Sequence, residues 1–547
     1  MATSSKYIIF LILLLALVLR IWGATYAFPN LVINDESAFV YGALKMLEFK
    51  TFIPAFHPEE FKALYYFSFI PSLYAVVFAP FLLVAYLFSS FSSLADFKLY
   101  LTLDPSVIWI AARIFSAVFG TLTVYLVYRL ALLWFENKKI ALFSALFLAL
   151  SLFHIQLSHM ARHWIYGAFF ATLAWIFIAL IYKSGQRKHY FWGGVSAGLS
   201  FGATPPSALV LLPLGFLHFL KQKFVDRNLV ISGVSFLALA LLFIFLHPYG
   251  LTLGDTGSES GILANVWERL SHPGERSPFG FLGLAGHFLE ILWRSETFLL
   301  IFAALGAVFF FKRDLRLGVS VFLFFISYIF LMYTFFTALP RAVLVILPLG
   351  AVLAGLGLGK FTELFERKIL IKSFVIAVIF ILPLLSAARY DYLLSAADTR
   401  TLATAWIREN IPAGNKILAY LPVMRLANTK EGINKMEKLD AKSLRAADRA
   451  LLKTKPEFYP EPAFEILNLH FLPGYSVSPE GFQYLVLEYE KADQSDIPPG
   501  VRELVFNARL LKRFESQLEF KDEISALFPW EFFEIQRFGP FVDIYEF

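Results

Sequence analysis

The chain has 547 residues, of which 58% are hydrophobic and 16% charged, with a net charge of +6 and no cysteine. A soluble protein of this length does not need such an apolar excess, and the lack of cysteine excludes disulfides, thiol nucleophiles and cysteine-bound zinc. Its basic residues cluster between apolar runs, a membrane-topology pattern that gives little reason to expect nucleic acid as a partner.

Repeated apolar runs of membrane-spanning length predict a polytopic α-helical membrane protein with about 11–13 spans. The first run contains Arg20 and no clear cleavage site follows it, so we interpret it as an uncleaved span. The run at 190–220 is broken by Thr204-Pro205-Pro206 and is interpreted as two short spans. The runs lie at 7–27, 67–91, 107–134, 139–157, 164–182, 190–220, 229–247, 292–311, 316–336, 341–359 and 370–388.

Six basic clusters between the runs predict the orientation, because cytoplasmic loops are enriched in lysine and arginine. Three runs separate the first two clusters, so one of them is expected not to cross; we choose 67–91, which contains Pro71 and Pro80, and a missed short span within 24–106 is the alternative. The N-terminus is then cytoplasmic, and residues 24–106, 158–163, 248–291, 337–341 and everything after 389 are extracytoplasmic. The clusters are Lys6, Lys138-Lys139, Lys183/Arg187/Lys188, Lys221/Lys223/Arg227, Lys312/Arg313/Arg316 and Lys360/Arg367/Lys368.

Two domains are predicted from this pattern. Residues 1–388 form a transmembrane domain, in which 24–106 is a first outer loop with interfacial helices. Residues 389–547 hold much charge and no membrane-length run, and they predict a small extracytoplasmic α/β domain. The expected elements are a helix at Thr401–Asn410 and strands at Lys416–Tyr420, Tyr484–Leu487 and Val542–Tyr545.

Two adjacent acids, Asp35 and Glu36, follow the first apolar run. Carboxylates at the mouth of a membrane segment are costly to desolvate and are not core-packing residues. They are either solvated loop acids or a functional pair.

Four arginines are predicted on the same side of the membrane as this acidic pair. Each is either an interfacial arginine whose charged end reaches water or a functional group. Guanidinium groups fit phosphate oxygens, and a carboxylate among them can act as a base. The four are Arg20, Arg113, Arg162 and Arg341.

This combination suits transfer of a sugar from a lipid-linked phosphosugar. Arginine would hold the headgroup phosphate and offset its charge as the glycosidic bond breaks. A carboxylate would take the proton of an acceptor hydroxyl that attacks the anomeric carbon. A single displacement inverts that carbon and requires only one base.

Several stretches, taken in order, resemble the lipid-carrier-dependent glycosyltransferases of the GT-C fold, in the branch of the protein O-mannosyltransferases and the lipid A aminoarabinose transferase. These stretches are Arg20 with Asn34-Asp35-Glu36, Phe69-Ile70-Pro71-Ser72-Leu73-Tyr74, Asp104-Pro105 with Ala112-Arg113 and Gly120, Gln156 with Ser158-His159 and Ala161-Arg162, Gly198 with Ala203-Thr204 and Pro213, Arg341 with Pro348 and Gly355, and Thr404–Pro412.

The resemblance implies that residues 1–388 are a GT-C-like catalytic domain, and it implies roles for these residues. Asp35 is expected as the catalytic base or acceptor-orienting carboxylate, and Glu36 as the residue that assists or positions it. The residues expected at the carrier phosphate are Arg113, Arg162, Arg20, Arg341 and His159. The chain departs from the family at His163-Trp164-Ile165, where many relatives have an acidic residue.

The expected partners are a polyprenyl-phosphate sugar donor, membrane lipid and a glycan, lipid or protein acceptor. No cofactor is expected with certainty, and a divalent cation stays open. Histidines and acids of the outer loops could join Asp35 as ligands, but their spacing matches no tight metal motif. The expected location is the plasma membrane. The alternative functions are a transporter or flippase of a lipid-linked saccharide and a membrane-anchored scaffold.

Overall fold

A computed structural model describes residues 2–33, 35–62, 64, 66–250, 271, 278–335, 339–455, 459–475, 478–516 and 527–547. The predicted fold class is confirmed: a helical polytopic part is followed by a small C-terminal α/β unit. Asn34, most of the outer loop expected at 248–291 and part of the turn expected at 337–341 lie outside the described residues.

The helical part follows the apolar runs, because a helix satisfies every backbone hydrogen bond within its own segment. Short 3₁₀ turns at Pro54–Phe56, Pro205–Val210 and Pro340–Val345 each begin at a proline. The second of these confirms the predicted break of the run at 190–220. The helices are α1 (Ala2–Ile21), α2 (Glu36–Glu48), α3 (Phe69–Leu87), α4 (Leu94–Leu103), α5 (Ser106–Phe135), α6 (Lys138–Ala149), α7 (Leu152–Ser158), α8 (Trp164–Ser184), α9 (Arg187–Ala203), α10 (Leu211–Gln222), α11 (Arg227–Leu246), α12 (Phe281–Ser295), α13 (Thr297–Arg313), α14 (Leu315–Phe335), α15 (Leu347–Glu363) and α16 (Ile369–Ser395).

Six segments of the described chain are long and apolar enough to cross a membrane, and the bent pair α6–α7 would make a seventh. This count lies below the predicted 11–13 spans partly because α13 and α15, with 17 residues each, fall short of the length required. Helix α3 has the length of a crossing helix, so whether 67–91 crosses stays a prediction. The six segments are Phe69–Leu87, Ser106–Phe135, Trp164–Ser184, Arg227–Leu246, Leu315–Thr334 and Ile369–Asn410.

A bend of 58° separates α6 from α7. Two carbonyls at the end of α6 accept hydrogen bonds from Arg20, those of Leu148 at 3.0 Å and Ala149 at 3.1 Å. The Ser151 hydroxyl accepts from the backbone N–H of His154 at the start of α7. Backbone groups that the break would leave unpaired are thereby satisfied, and the loop after α7 is brought towards α1 and α5.

The C-terminal unit is built on a mixed five-stranded sheet in the order β2-β1-β3-β5-β4. Strand β1 pairs parallel with β2 and β3, whereas β5 pairs antiparallel with β3 and β4. The three predicted strands are confirmed as β1, β3 and β5, and the predicted helix as α17. The elements are α17 (Thr399–Asn410), β1 (Lys416–Tyr420), α18 (Lys430–Leu439), α19 (Ala446–Lys453), β2 (Glu465–Asn468), β3 (Tyr484–Tyr489), α20 (Pro499–Arg502), β4 (Arg509–Phe514) and β5 (Phe541–Glu546).

Hydrogen bonds join this unit to the helical part. The Arg425 backbone N–H donates to Asn30 Oδ1 at 2.8 Å, and the Ser386 hydroxyl donates to the Pro529 carbonyl at 2.9 Å. Asn30 precedes Asp35 by five residues, so the unit contacts the loop that leads to the acidic pair. Helix α16 continues to Ser395, across the expected boundary at 388/389, and the division into two domains stays a prediction.

Candidate functional site

The acidic pair lies where α2 begins. Asp35 has a left-handed backbone with φ 64° and ψ −27°, and Glu36 is the first helical residue. This conformation costs a residue with a side chain about 1–2 kcal/mol, and aspartate is among the residues that adopt it most readily. The two neighbouring carboxylates therefore have different surroundings: the Glu36 side chain is fully buried, whereas that of Asp35 is 18% exposed.

Asp35 is the meeting point of three other parts of the chain. The Tyr66 hydroxyl, just before α3, donates to Asp35 Oδ2 at 3.1 Å. Arg162, between α7 and α8, forms an ion pair with the same oxygen. Arg341 Nη2, in the 3₁₀ turn before α15, lies 3.8 Å from it.

In this cluster two guanidinium groups face one carboxylate. The side chains of Arg162 and Arg341 are only 3% and 13% exposed, so water screens them little. Arg162 Nε is buried and has no hydrogen-bond acceptor within the described part of the chain. The arrangement is suited to binding an anion with several oxygens, such as a phosphate.

Aromatic rings pack against the cluster. Tyr66 lies 4.8 Å from Phe39 and 4.5 Å from His163, measured between ring centroids. Burial and the charge of Asp35 raise the pKa of Tyr66 to about 12, so its hydroxyl stays a proton donor at neutral pH. Burial, together with Arg162 and Arg341, holds the pKa of His163 well below its ordinary value and keeps the imidazole neutral. The cluster therefore holds a neutral ring at His163.

Glu36 and Arg113 form a separate buried pair. Arg113 Nε and Nη2 donate to the two carboxylate oxygens at 2.9 and 2.8 Å, and Nη1 donates to the carbonyls of Ala24 and Tyr26. Glu36 also accepts from the backbone N–H of Ala161 at 2.7 Å. Because these groups bond to one another, the pair joins α2, α5 and the α7–α8 loop, and Arg113 does not face Asp35.

Arg20 and His159 also lie apart from Asp35. Arg20 is fully buried and contacts the end of α6 and His154 Nδ1. The two ring nitrogens of His159 lie 2.9 Å from the Ile155 carbonyl and 2.8 Å from the Trp22 carbonyl, and Nε2 is 3.5 Å from Asp391 Oδ1. Both side chains therefore contribute hydrogen bonds between helices.

The structure thus brings together Asp35, Arg162 and Arg341 of the predicted set, and it places Glu36, Arg113, Arg20 and His159 elsewhere. Tyr66 was missed by the sequence analysis. Its position in the predicted outer loop, shortly before the Phe69–Tyr74 stretch, was the available signal, but tyrosine is common near membrane interfaces and does not stand out there.

No group of three or more histidine or acidic side chains is placed to hold a metal ion within the described ranges. Burial of His163 next to two arginines disfavours a cation near that ring. A requirement for a divalent cation stays an open prediction.

Comparison with solved structures gives several similar chains, all of low identity. The oligosaccharyltransferase of Archaeoglobus fulgidus with zinc and sulfate is 14% identical, with a TM-score of 0.48 over 88% of this chain and 68% of that one. ArnT from Cupriavidus metallidurans bound to undecaprenyl phosphate is 13% identical, with a TM-score of 0.45 over 99% of this chain and 97% of that one. These values are too low to assign a fold or an activity. No curated protein matches the chain significantly.

A family match in sequence covers α5 to α11 and the end of α4. Residues 98–249 match the profile of the family described as dolichyl-phosphate-mannose-protein mannosyltransferase. This stretch includes Arg113, His159 and Arg162 of the predicted set. The resemblance to the lipid-carrier-dependent glycosyltransferases is therefore confirmed over residues 98–249.

Proposed function

We propose that this protein is an integral-membrane glycosyltransferase. It transfers a hexosyl or pentosyl group from a polyprenyl-phosphate-linked donor to an acceptor hydroxyl at the extracytoplasmic face, with inversion. The observation that supports this proposal most strongly is that Arg162 and Arg341 both lie at the partly exposed carboxylate of Asp35. The family match supports a lipid-carrier phosphate as the bound group, since dolichyl phosphate is such a carrier.

The arginines act on the donor phosphate. The buried Nε–H of Arg162 has no acceptor among the described residues, and both guanidinium groups can donate to phosphate oxygens in a poorly screened setting. As the bond between the anomeric carbon and the phosphate oxygen breaks, its electron pair stays on the phosphate. The fixed positive charges stabilise that developing charge.

Asp35 acts on the acceptor. The acceptor oxygen forms the new bond to the anomeric carbon, and its proton passes to the Asp35 carboxylate. A phosphate that draws the arginines towards itself would release this carboxylate for that task. Tyr66 holds the carboxylate through its hydroxyl. Glu36 and Arg113 act as positioning residues, because their buried pair fixes the start of α2 on which Asp35 stands.

The test is Asp35→Asn in protein reconstituted into liposomes, with polyprenyl-phosphate mannose as the first donor and the host-membrane extract as acceptor. Transfer of labelled sugar should be lost while the protein stays folded, which a cooperative thermal unfolding transition would show. The matched control is Glu59→Gln, which changes an exposed loop acid, and this variant should transfer the sugar normally. Full transfer by the Asp35 variant would overturn the assignment, and movement of labelled donor across the membrane without product would favour a transporter.

The face of the membrane is tested separately. The chain has no cysteine, so single cysteines can be introduced without background. In intact cells a membrane-impermeant maleimide should label Glu59→Cys and leave Lys188→Cys unlabelled. The reverse pattern would place Asp35 in the cytoplasm.

A further inference from the structure

A cavity of about 120 Å³ lies between α2 and the residues Glu60, Phe61 and Leu64. Its floor is apolar and includes the buried rings and methyl groups of Phe61 and Leu64. Its rim is polar and carries Ser37, Tyr41 and Lys45. Because these rim residues are spaced by four, they stand one above the other on one face of α2.

Both walls of this cavity belong to chain segments that continue to the Asp35–Tyr66 hydrogen bond. Ser37 lies two residues after Asp35 on one wall, and Leu64 lies two residues before Tyr66 on the other. Tyr66 and Asp35 are joined by the 3.1 Å hydrogen bond. The end of the cavity formed by Ser37 and Leu64 is therefore the end nearer along both segments to the Asp35–Tyr66 hydrogen bond.

The other end is cationic. Lys45 Nζ donates to the Glu60 carbonyl, and no carboxylate of the described residues forms a salt bridge with it. Tyr41 interacts with the half-buried guanidinium of Arg425 from the C-terminal unit. The Glu60 side chain is exposed and is the one carboxylate among the residues that line the cavity.

The cavity has room for a ligand larger than water. Its volume of about 120 Å³ is several times the roughly 30 Å³ that one water takes up in the liquid. From Ser37 to Lys45 the helix rises by about 12 Å. The apolar floor can pack against the face of a sugar ring, and the polar groups at the rim can bind the hydroxyl groups of that ring.

Resting on the proposed function, we propose that this cavity is the acceptor subsite and that the acceptor is an anionic glycoside. Its sugar ring lies on Phe61 and Leu64, and its phosphate or carboxylate group binds the ammonium of Lys45. The hydroxyl that attacks the donor then points towards Asp35. The acceptor is thus recognised at one end of the cavity, and the sugar is transferred at the other end.

The test measures binding without turnover. Saturation-transfer NMR on the detergent-solubilised full chain would compare glucose 6-phosphate, glucuronate and glucose as probes. At least one anionic probe should bind about tenfold or more tightly than glucose, because the charged group adds a charge-assisted hydrogen bond. Comparing the two anions distinguishes a phosphate-bearing from a carboxylate-bearing acceptor.

Variants connect the binding to Lys45. Lys45→Gln should remove the preference for the anionic probe, and Lys45→Glu should reverse it. Glu60→Gln is the matched control; it removes a like charge and should leave the affinity unchanged or raise it. Equal binding of glucose and both anions, an unchanged preference in Lys45→Gln, or no saturable binding would each overturn the proposal.

Failure of this inference can be told from failure of the proposed function. Asp35→Asn should still bind the anionic probe, since its change lies at the other end of the cavity. Probe binding with no transfer from any polyprenyl-phosphate sugar would count against the proposed enzyme activity. Transfer with no Lys45-dependent binding would count against this acceptor site alone.

Discussion

Arg113 donates two hydrogen bonds to the carboxylate of Glu36, at 2.9 and 2.8 Å, deep between α2 and α5. The acid one residue earlier, Asp35, faces Arg162 instead. The left-handed turn at Asp35 separates the two carboxylates, so that one is structural and the other is accessible. The predictions below rest on this separation.

Breaking the Glu36–Arg113 pair should destabilise the protein. Glu36→Gln leaves the buried charge of Arg113 unpaired, and Arg113→Met leaves the charge of Glu36 and the backbone carbonyls bonded to Arg113 without a partner. For each variant the free energy of unfolding should fall by about 3–5 kcal/mol. Thermal and denaturant unfolding in detergent would measure it. The double variant Glu36→Gln/Arg113→Met should lose less than the sum of the two single variants.

The same variants test the earlier expectation that Arg113 faces the carrier phosphate. If Arg113→Met kept its unfolding temperature and lost only affinity for polyprenyl phosphate, the structural role would be wrong. Arg113→Lys should also unfold more readily, since lysine cannot form the two parallel bonds.

Arg162 should discriminate the carrier phosphate from an uncharged lipid. We expect Arg162→Gln to weaken binding of polyprenyl phosphate by about tenfold or more, because it removes charge-assisted hydrogen bonds worth about 1.5–3 kcal/mol. Binding of polyprenol with the same chain length should not change. Native mass spectrometry or a scintillation proximity assay would compare the two lipids.

Arg20→Met is the matched control for this experiment. Arg20 bonds to the carbonyls of Leu148 and Ala149 at the α6–α7 bend. Its loss should lower stability, and the folded fraction should bind polyprenyl phosphate normally. Equal loss of lipid affinity in both variants would contradict the distinction between them.

Tyr66→Phe should slow transfer without preventing folding. The variant removes the hydroxyl that donates to Asp35 Oδ2 and keeps the ring that packs on Phe39 and His163. A hydrogen bond to a charged group is worth about 1.5–3 kcal/mol, so kcat/KM should fall by about tenfold to a hundredfold. The control is Tyr100→Phe, which changes an exposed tyrosine of α4. Similar values of kcat/KM for both variants would exclude a role for Tyr66.

His163 should make stability depend on pH in one direction. Its pKa in the folded protein lies well below the ordinary value of 6.5, so below about pH 6.5 the unfolded chain takes up a proton that the folded chain does not. Stability therefore falls as the pH decreases from 6.5, by at most about 1.4 kcal/mol per pH unit for this residue, and does not change on its account above 6.5.

His163→Phe should remove that contribution. Denaturant unfolding of the wild type and the variant at pH 7.5, 6.5 and 5.5 would show a shallower decline for the variant. Other buried histidines act equally in both proteins and cancel in the difference. Parallel declines would mean that the imidazole is charged in the folded state.

Secondary structure could be predicted in large part because it follows local patterns. Apolar runs, the prolines at 205 and 206 and short apolar strands such as Lys416–Tyr420 carry their own signal. Strands β2 and β4 were not predicted, because both are edge strands and β4 is largely exposed, so its sequence lacks a buried alternation.

The sequence by itself determined which residues were candidates: an acidic pair after the first apolar run and arginines expected on the same side of the membrane. It did not determine where each side chain points. That depends on the left-handed backbone of Asp35, on the 58° bend before the α7–α8 loop and on the packing of α5 against α2. Charge patterns between spans indicate only a side of the membrane, whereas contact between Asp35, Tyr66, Arg162 and Arg341 requires four distant stretches to meet. Only the tertiary structure decided that Glu36 and Arg113 satisfy each other inside the protein, whereas Asp35 pairs with Arg162 and stays partly exposed.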